Sequence, residues 1–323
     1  MTDAAARDRQ LATIQQALAL GVDWFDTAAT YGNGASETSL GWALRELGLR
    51  SAVGRGSCRA GGPAELESAP PVETASGSAG ASPHPAIRIG TKVRLAEADL
   101  SDITGAVRAS VEGSLRRLGV NSVALLQLHN SITRRRGDQP TSISPDDVLC
   151  ADGVLAAFAQ LRREGLVQHF GLTGLGDAES LEVVLRAEAW ATMQVNLNLC
   201  DSRPAVADAR LERARWTPAL LAIRVFAGGA LAGRPPSAHT LTTKFFPLAG
   251  YERDLRRAET MRSLLPAGIS LPEAAVRFAA HHARVTSAII GFGSLEEVVD
   301  AARWAANGPL PDELIATLTR AGV

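Results

Sequence analysis

The sequence predicts an α/β fold of the (β/α)8, TIM-barrel class. Short apolar runs alternate with stretches of helical periodicity along the chain, which calls for a parallel sheet buried on both faces. The glycine-rich fingerprint of a dinucleotide-binding open sheet is missing. Neither Gly32-Asn33-Gly34 nor Gly54-Arg55-Gly56 has a third glycine at the required spacing, and neither sits between a strand and its helix. Polar residues recur instead at the C-terminal ends of successive predicted strands: Asp26, Lys92, His129, Thr173, Gln194, and Asn196 with Asn198. That is where a barrel of this class carries its chemistry.

In order along the chain, Leu11, Ile14 and Leu18 stand at helical spacing in 7–20, and Gly21 ends that helix. Residues 22–28, VDWFDTA, read as a buried strand, and 36–49 return to a helix with Ser36 as its N-cap. Further strands are expected at 87–91, 123–128, 168–173, 193–197, 220–226 and 286–291. Helices are expected at 100–118, 151–165, 177–188, 204–214 and 270–282, with 294–306 and 311–321 closing the chain. These are seven barrel strands instead of eight, because no strand precedes the 7–20 helix. A barrel short of one strand exposes two edges.

Two stretches break the rhythm. Residues 54–86 are rich in Gly, Ala, Ser and Pro with almost no bulky apolar side chain, so a disordered surface insert is expected within one domain spanning 1–323. Residues 130–150 form a long loop after a strand end, placed to shape a substrate pocket, with Arg134, Arg135 and Arg136 facing solvent.

Composition narrows the function. The chain has 323 residues with 33 basic and 34 acidic side chains and no long basic stripe, which argues against a nucleic-acid partner. Cys58, Cys150 and Cys200 are odd in number and widely spaced, which opposes a disulfide framework or a CxxC-type zinc site and fits a reducing cytoplasm. The N-terminal segment has no signal-like apolar core, and no apolar run reaches the ~18 residues of a membrane span. The expectation is a cytoplasmic enzyme acting on a small molecule, with no metal and no membrane partner.

Six segments carry a more specific signal: GVDWFDTAATYGNGASETSLGWAL (21–44), IGTKV (89–93), LLQLHN (125–130), GLTGLG (171–176), QVNLN (194–198) and AIIGFGSLEEVVDAA (288–302). In identity and order they resemble the motifs of the aldo-keto reductase family, over nearly the whole chain. The resemblance implies a (β/α)8 barrel and reversible hydride transfer between NAD(P)H and a carbonyl. It implies a catalytic tetrad of Asp26, Tyr31, Lys92 and His129. By the same match Thr173, Gln194, Asn198, Arg224, Gly291, Gly293, Ser294 and Glu297 would contact the cofactor. Trp24 and Asn130 would face substrate, together with the 130–150 loop and 224–234. Three departures stand out: Thr173-Gly174 replaces a common Ser-Asn, Ile223 occupies the usual place of an aromatic stacked on the nicotinamide (leaving Arg224 or Phe226 for that work), and the leading strand is missing.

The chemistry accounts for these residue types independently. Hydride delivery to a carbonyl carbon leaves charge on its oxygen, which needs a positioned proton donor. A phenol with a pKa near 10 is a poor donor in water, but an adjacent ammonium stabilises its phenolate. Lys92 would supply that charge, Asp26 would hold Lys92 protonated and oriented, and His129 would align the carbonyl. Two other readings stay open: a catalytically impaired NAD(P)-binding barrel with a regulatory or interaction role, and an aldolase-type barrel using Lys92 as a Schiff base. In 291–302 no basic residue precedes Arg303, and Glu297 falls where the family often has a cation for the 2′-phosphate. The expectation is that NAD(H) is accepted at least as well as NADP(H).

Overall fold

The computed structural model describes residues 4–49, 87–202, 218–235, 241 and 248–322. Seven strands form one curled, fully parallel sheet: β1 (Trp24–Asp26), β2 (Arg88–Val93), β3 (Val123–Leu128), β4 (Val167–Thr173), β5 (Thr192–Asn196), β6 (Ala219–Ile223) and β7 (Ser287–Ala288). Each strand pairs with the next in chain order, as in registers Asp26↔Gly90, Lys92↔Gln127, Gln127↔Gly171 and Thr173↔Gln194. Parallel neighbours need a crossover helix. The described helices are α1 (Ala4–Ala19), α2 (Ala35–Glu46), α3 (Ile103–Leu118), α4 (Pro145–Leu149), α5 (Val154–Arg163), α6 (Ala178–Leu185), α7 (Leu248–Leu264), α8 (Leu271–Ala280), α9 (Leu295–Ala306) and α10 (Asp312–Ala321), of which α2 to α8 lie between strands.

Local chemistry sets the helix ends. The Asp102 carboxylate accepts from Gly105 N at 2.9 Å to start α3, and Gly119 stops it at φ 69°. Asp177, Ser270 and Ser294 cap α6, α8 and α9 in the same way. β3 is buried along its whole length, with its outer face on α3 and α5 through Val107, Val111, Phe158 and Leu161. A second apolar cluster, with Tyr251, Met261, Phe278 and Leu318, gathers α7, α8 and α10 beside β6.

The sheet does not close among the described residues. β1 and β7 are its two edges, and no described strand pairs with both. Behind that gap α1 packs against α9. The result is a cleft of about 960 Å³ between β1 and β7, lined by apolar side chains such as Ile14, Phe25, Ile290 and Val298 and reaching Asp26 and Tyr31.

Several expectations need correction. Gly34, not Ser36, caps α2, in a left-handed conformation at φ 88°. A side chain on Gly34 would also meet the Arg117 side chain, at 2.7 Å from its Cδ. The 220–226 strand stops at Ile223 because Arg224 turns the backbone to φ 56°, and 286–291 contributes only two strand residues. The expected helix at 100–118 is a short 3-10 turn, Glu97–Ser101, followed by α3. The long helix α7 was not expected. Its buried positions are Tyr251, Asp254, Ala258 and Met261, so helical spacing is present but a carboxylate and an alanine interrupt its apolar face. The expected insert at 54–86 and helix at 204–214 lie outside the described residues.

Candidate active site

The four tetrad candidates meet at the C-terminal ends of β1, β2 and β3. Asp26 is the last residue of β1, and a turn through left-handed Gly32, Asn33 and Gly34 carries the chain from Tyr31 into α2. Lys92 is 1% exposed, a costly position for an ammonium unless every proton is taken. All three are. Nζ pairs with Asp26 Oδ2, donates to the Thr27 carbonyl at 2.9 Å, and donates to the Tyr31 hydroxyl at 3.3 Å. Burial works against the Lys92 charge, but Asp26 and Tyr31 beside it outweigh that cost, and its pKa is raised. A Schiff-base lysine must be neutral to attack, so this arrangement opposes the aldolase reading.

His129 follows β3, its N–H donating to the Val93 carbonyl at 2.8 Å, and its ring meets Tyr31 edge-on at 5.8 Å between centroids. Burial, with the nearby Lys92 and Arg94 charges, pushes the His129 pKa down to about 3, so the ring is neutral at physiological pH. Thr30 Oγ1 lies 3.4 Å from Nδ1. Tyr31 is 42% exposed, so its hydroxyl is held from below and open to a ligand.

The other expected residues divide. Thr173 ends β4, and its hydroxyl is buried without a partner among the described residues; the same holds for Asn196 Oδ1 at the end of β5. Gln194 donates through Nε2 to Asp26 Oδ1 at 2.9 Å, which ties it to the tetrad. Asn198 spends its amide on backbone, donating to the Arg224 carbonyl at 3.0 Å and accepting from Cys200 N and Asp201 N. It therefore holds the turn after β5, with one of its two amide N–H groups used in doing so. Arg224 is half-buried; burial lowers its pKa against the pull of Asp254 and Asp201.

The two expected substrate contacts differ in their surroundings. Asn130 is 0% exposed, accepts from Leu95 N at 2.9 Å, and donates to the Leu95 and Thr141 carbonyls at 2.8 and 2.7 Å. It clamps the 130–150 loop to the segment after β2. Trp24 sits two residues before Asp26, a layer deeper in the sheet, with the Arg88 guanidinium 5.6 Å from its ring centroid. It lines the β1–β7 cleft, the same cleft that reaches Asp26 and Tyr31. In the 130–150 loop, the Arg136 guanidinium pairs with the buried Asp147 carboxylate, so that arginine does not simply face solvent.

At the N terminus of α9, Ser294 caps the helix, and the Glu297 carboxylate accepts from Gly293 N at 2.6 Å and pairs with Arg234. Gly291 lies in the turn just before, at the end of the β1–β7 cleft. Although 291–302 itself carries no basic residue before Arg303, a cation does reach this end, because Arg234 arrives from the segment after β6. Nothing local in the sequence links positions 234 and 297. Arg94 and Gln127 were also missed, although each had a signal. Strand period places Arg94 on the face of Lys92 and Gln127 on the face of His129.

The aldo/keto reductase family model matches residues 2–322. A search of curated protein sequences gave no significant match. Among solved structures, an aldo-keto reductase from Klebsiella pneumoniae in complex with NADPH is similar, with 21% identity over 98% of this chain and 86% of that one and a TM-score of 0.62. The holo form of an aldo-keto reductase from Bacillus halodurans shows 19% identity over 96% and 86% of the two chains, with a TM-score of 0.65. A glycerol dehydrogenase from Gluconobacter oxydans shows 21% identity over 99% and 86%, with a TM-score of 0.65. These likenesses are of fold. With the family match over almost its whole length, the chain belongs to the aldo/keto reductase family of NAD(P)-dependent oxidoreductases.

Proposed function

We propose that this protein reduces an aldehyde or ketone with NAD(P)H, or oxidises the corresponding alcohol in reverse, using Tyr31 as the proton donor. The observation that carries this reading is the Lys92 ammonium, buried, fully partnered and 3.3 Å from a solvent-accessible Tyr31 hydroxyl. When bound, the nicotinamide supplies the hydride. Tyr31 then passes its hydroxyl proton to the carbonyl oxygen, and the phenolate left behind is stabilised by Lys92 until solvent returns a proton. The neutral His129 ring aligns the carbonyl. A Thr30 hydroxyl donating to Nδ1 would leave the ring proton on Nε2, available to the substrate oxygen.

The residues present fit the cofactor. The unpartnered Thr173 hydroxyl and Asn196 carbonyl oxygen lie at adjacent strand ends and offer the donor and acceptor that a carboxamide requires. The start of α9, with Gly293, Ser294, Arg234 and Glu297, would hold the adenosine end, where a helix N terminus favours anionic groups. We place the reaction in the cytoplasm on cysteine usage; no helix among the described residues is long and apolar enough to cross a membrane.

The test is NADPH and NADH oxidation by the full chain against a panel of aldehydes, quinones and sugars. Turnover supports the reading. Cofactor binding with no turnover on any carbonyl would instead support a regulatory NAD(P)-binding protein, which the open β1–β7 cleft beside Asp26 favours as the alternative.

A further inference from the structure

Beneath the Lys92–Asp26 pair lies a set of polar atoms that the mechanism above leaves unused. Asp26 Oδ2 faces Lys92, while Oδ1 accepts two amide N–H groups, from Gln194 Nε2 at 2.9 Å and Gln127 Nε2 at 3.2 Å. Gln127 is 0% exposed, and its Oε1 has no hydrogen-bond partner among the described residues. Glycines on the neighbouring strands make its room. A Cβ on Gly171 would stand 3.1 Å from Gln127 Cγ and 2.3 Å from Thr192 Oγ1, and one on Gly90 would stand 3.6 Å from Asp26 Oδ1. The rest of β3, Val-Ala-Leu-Leu-Gln-Leu, is apolar. A buried amide with an unmade bond is less favourable than an apolar side chain of like volume. Packing therefore does not account for glutamine at this position.

We propose that Gln127 is a positioning residue for carbonyl reduction: with Gln194 it holds Asp26 Oδ1, so that Oδ2 stays aimed at Lys92. This rests on the reading of Tyr31 as proton donor. A nearly dry carboxylate–ammonium pair can discharge itself by moving a proton from nitrogen to oxygen. Two N–H donors on the carboxylate oppose that transfer because they favour the ionised form. The ammonium then persists beside Tyr31. The other ionisable groups around Tyr31 are Arg94 and the neutral His129; around Asp26, besides Lys92, stand the two uncharged amides.

The test compares kcat against pH for carbonyl reduction by the wild type, Gln127→Leu and Gln127→Glu, with thermal melts and NADPH binding as controls. Loss of one hydrogen bond to a charged group predicts that Gln127→Leu lowers kcat about tenfold, with the KM for NADPH within about twofold of wild type. Its alkaline limb, where the donor loses its proton, moves to higher pH because the ammonium favours the phenolate less. Gln127→Glu retains activity on the acid side, where a protonated carboxyl can still donate to Asp26, and loses it where a second carboxylate faces the first. If Gln127→Leu does not fold, the Gln127→Glu profile decides alone. Folded variants whose kcat and limb match the wild type overturn the inference while leaving the function standing. A wild type inactive on every carbonyl overturns the function itself, and this inference with it.

Discussion

Arg234 and Glu297, 63 positions apart in sequence, form an ion pair at the N terminus of α9, where Glu297 also accepts from Gly293 N. The pair places one cation and one anion beside the expected seat of the adenosine ribose. A 2′-phosphate there would be attracted by Arg234 and repelled by Glu297. Arg234→Met is expected to weaken NADPH binding more than NADH binding, and Glu297→Gln to tighten NADPH relative to NADH. Each shift is expected at about three- to tenfold, since exposed pairs contribute on the order of 1 kcal/mol. Fluorescence titration of both cofactors checks this, and equal shifts for the two would remove the 2′-phosphate from this end.

His129 makes stability depend on pH. Its pKa falls from an ordinary value near 6.5 to about 3 in the folded chain. The unfolded chain therefore takes up a proton that the folded chain refuses. Stability from this group is complete above pH 6.5 and is lost as pH falls toward 3, at up to about 1.4 kcal/mol per pH unit. His169 and His282 are also lowered by burial, so the informative quantity is a difference. Urea melts of His129→Asn are expected to show a flatter acid slope than wild type over that window; parallel slopes would show that the ring titrates freely.

Much of the site was legible because parallel strands leave a direct mark on sequence. Asp26, Lys92 and His129 each end an apolar run, and the turn after Asp26 fixes Tyr31 within reach of Lys92. Side chains whose partners come from distant segments were misjudged. Asn130 looked like a pocket residue because it follows His129, yet its amide is consumed by Leu95 and Thr141. Arg234 was invisible at α9 because tertiary packing alone brings it there. Helix α7 went unread because Asp254 and Ala258 occupy two of its four buried positions. Gln127 was readable from strand period but carried no motif that marked it.

Glu37 tests the scaffold behind Tyr31. It is 0% exposed in the first turn of α2, accepting from Thr91 Oγ1 at 2.5 Å and from Arg117 Nε at 2.7 Å. Through these bonds it joins α2 to β2 and α3. Glu37→Ala leaves the Thr91 hydroxyl and the Arg117 guanidinium without their acceptor, and a loss of about 3 kcal/mol is expected in denaturant melts. A loss under about 1 kcal/mol would mean that the pair is not buried as described.

Asn130→Ala is expected to loosen the 130–150 loop without changing substrate preference. Three hydrogen bonds disappear, two of them to Leu95 in the segment after β2. Faster proteolysis within 130–150, with unchanged ranking of carbonyl substrates, is the expected outcome. A reordered ranking with an intact loop would return Asn130 to the substrate pocket.

The central claim is that Tyr31, held by Lys92, donates the proton. The most direct measurement is single-turnover carbonyl reduction by wild type, Tyr31→Phe and Lys92→Met, each first shown to bind NADPH. The phenol acts in the transition state and contributes little to ground-state cofactor contacts, so Tyr31→Phe should bind NADPH within about twofold of wild type and lose at least about a thousandfold in rate. Lys92→Met should fail similarly. A Tyr31→Phe protein that reduces any carbonyl at close to the wild-type rate would contradict the account.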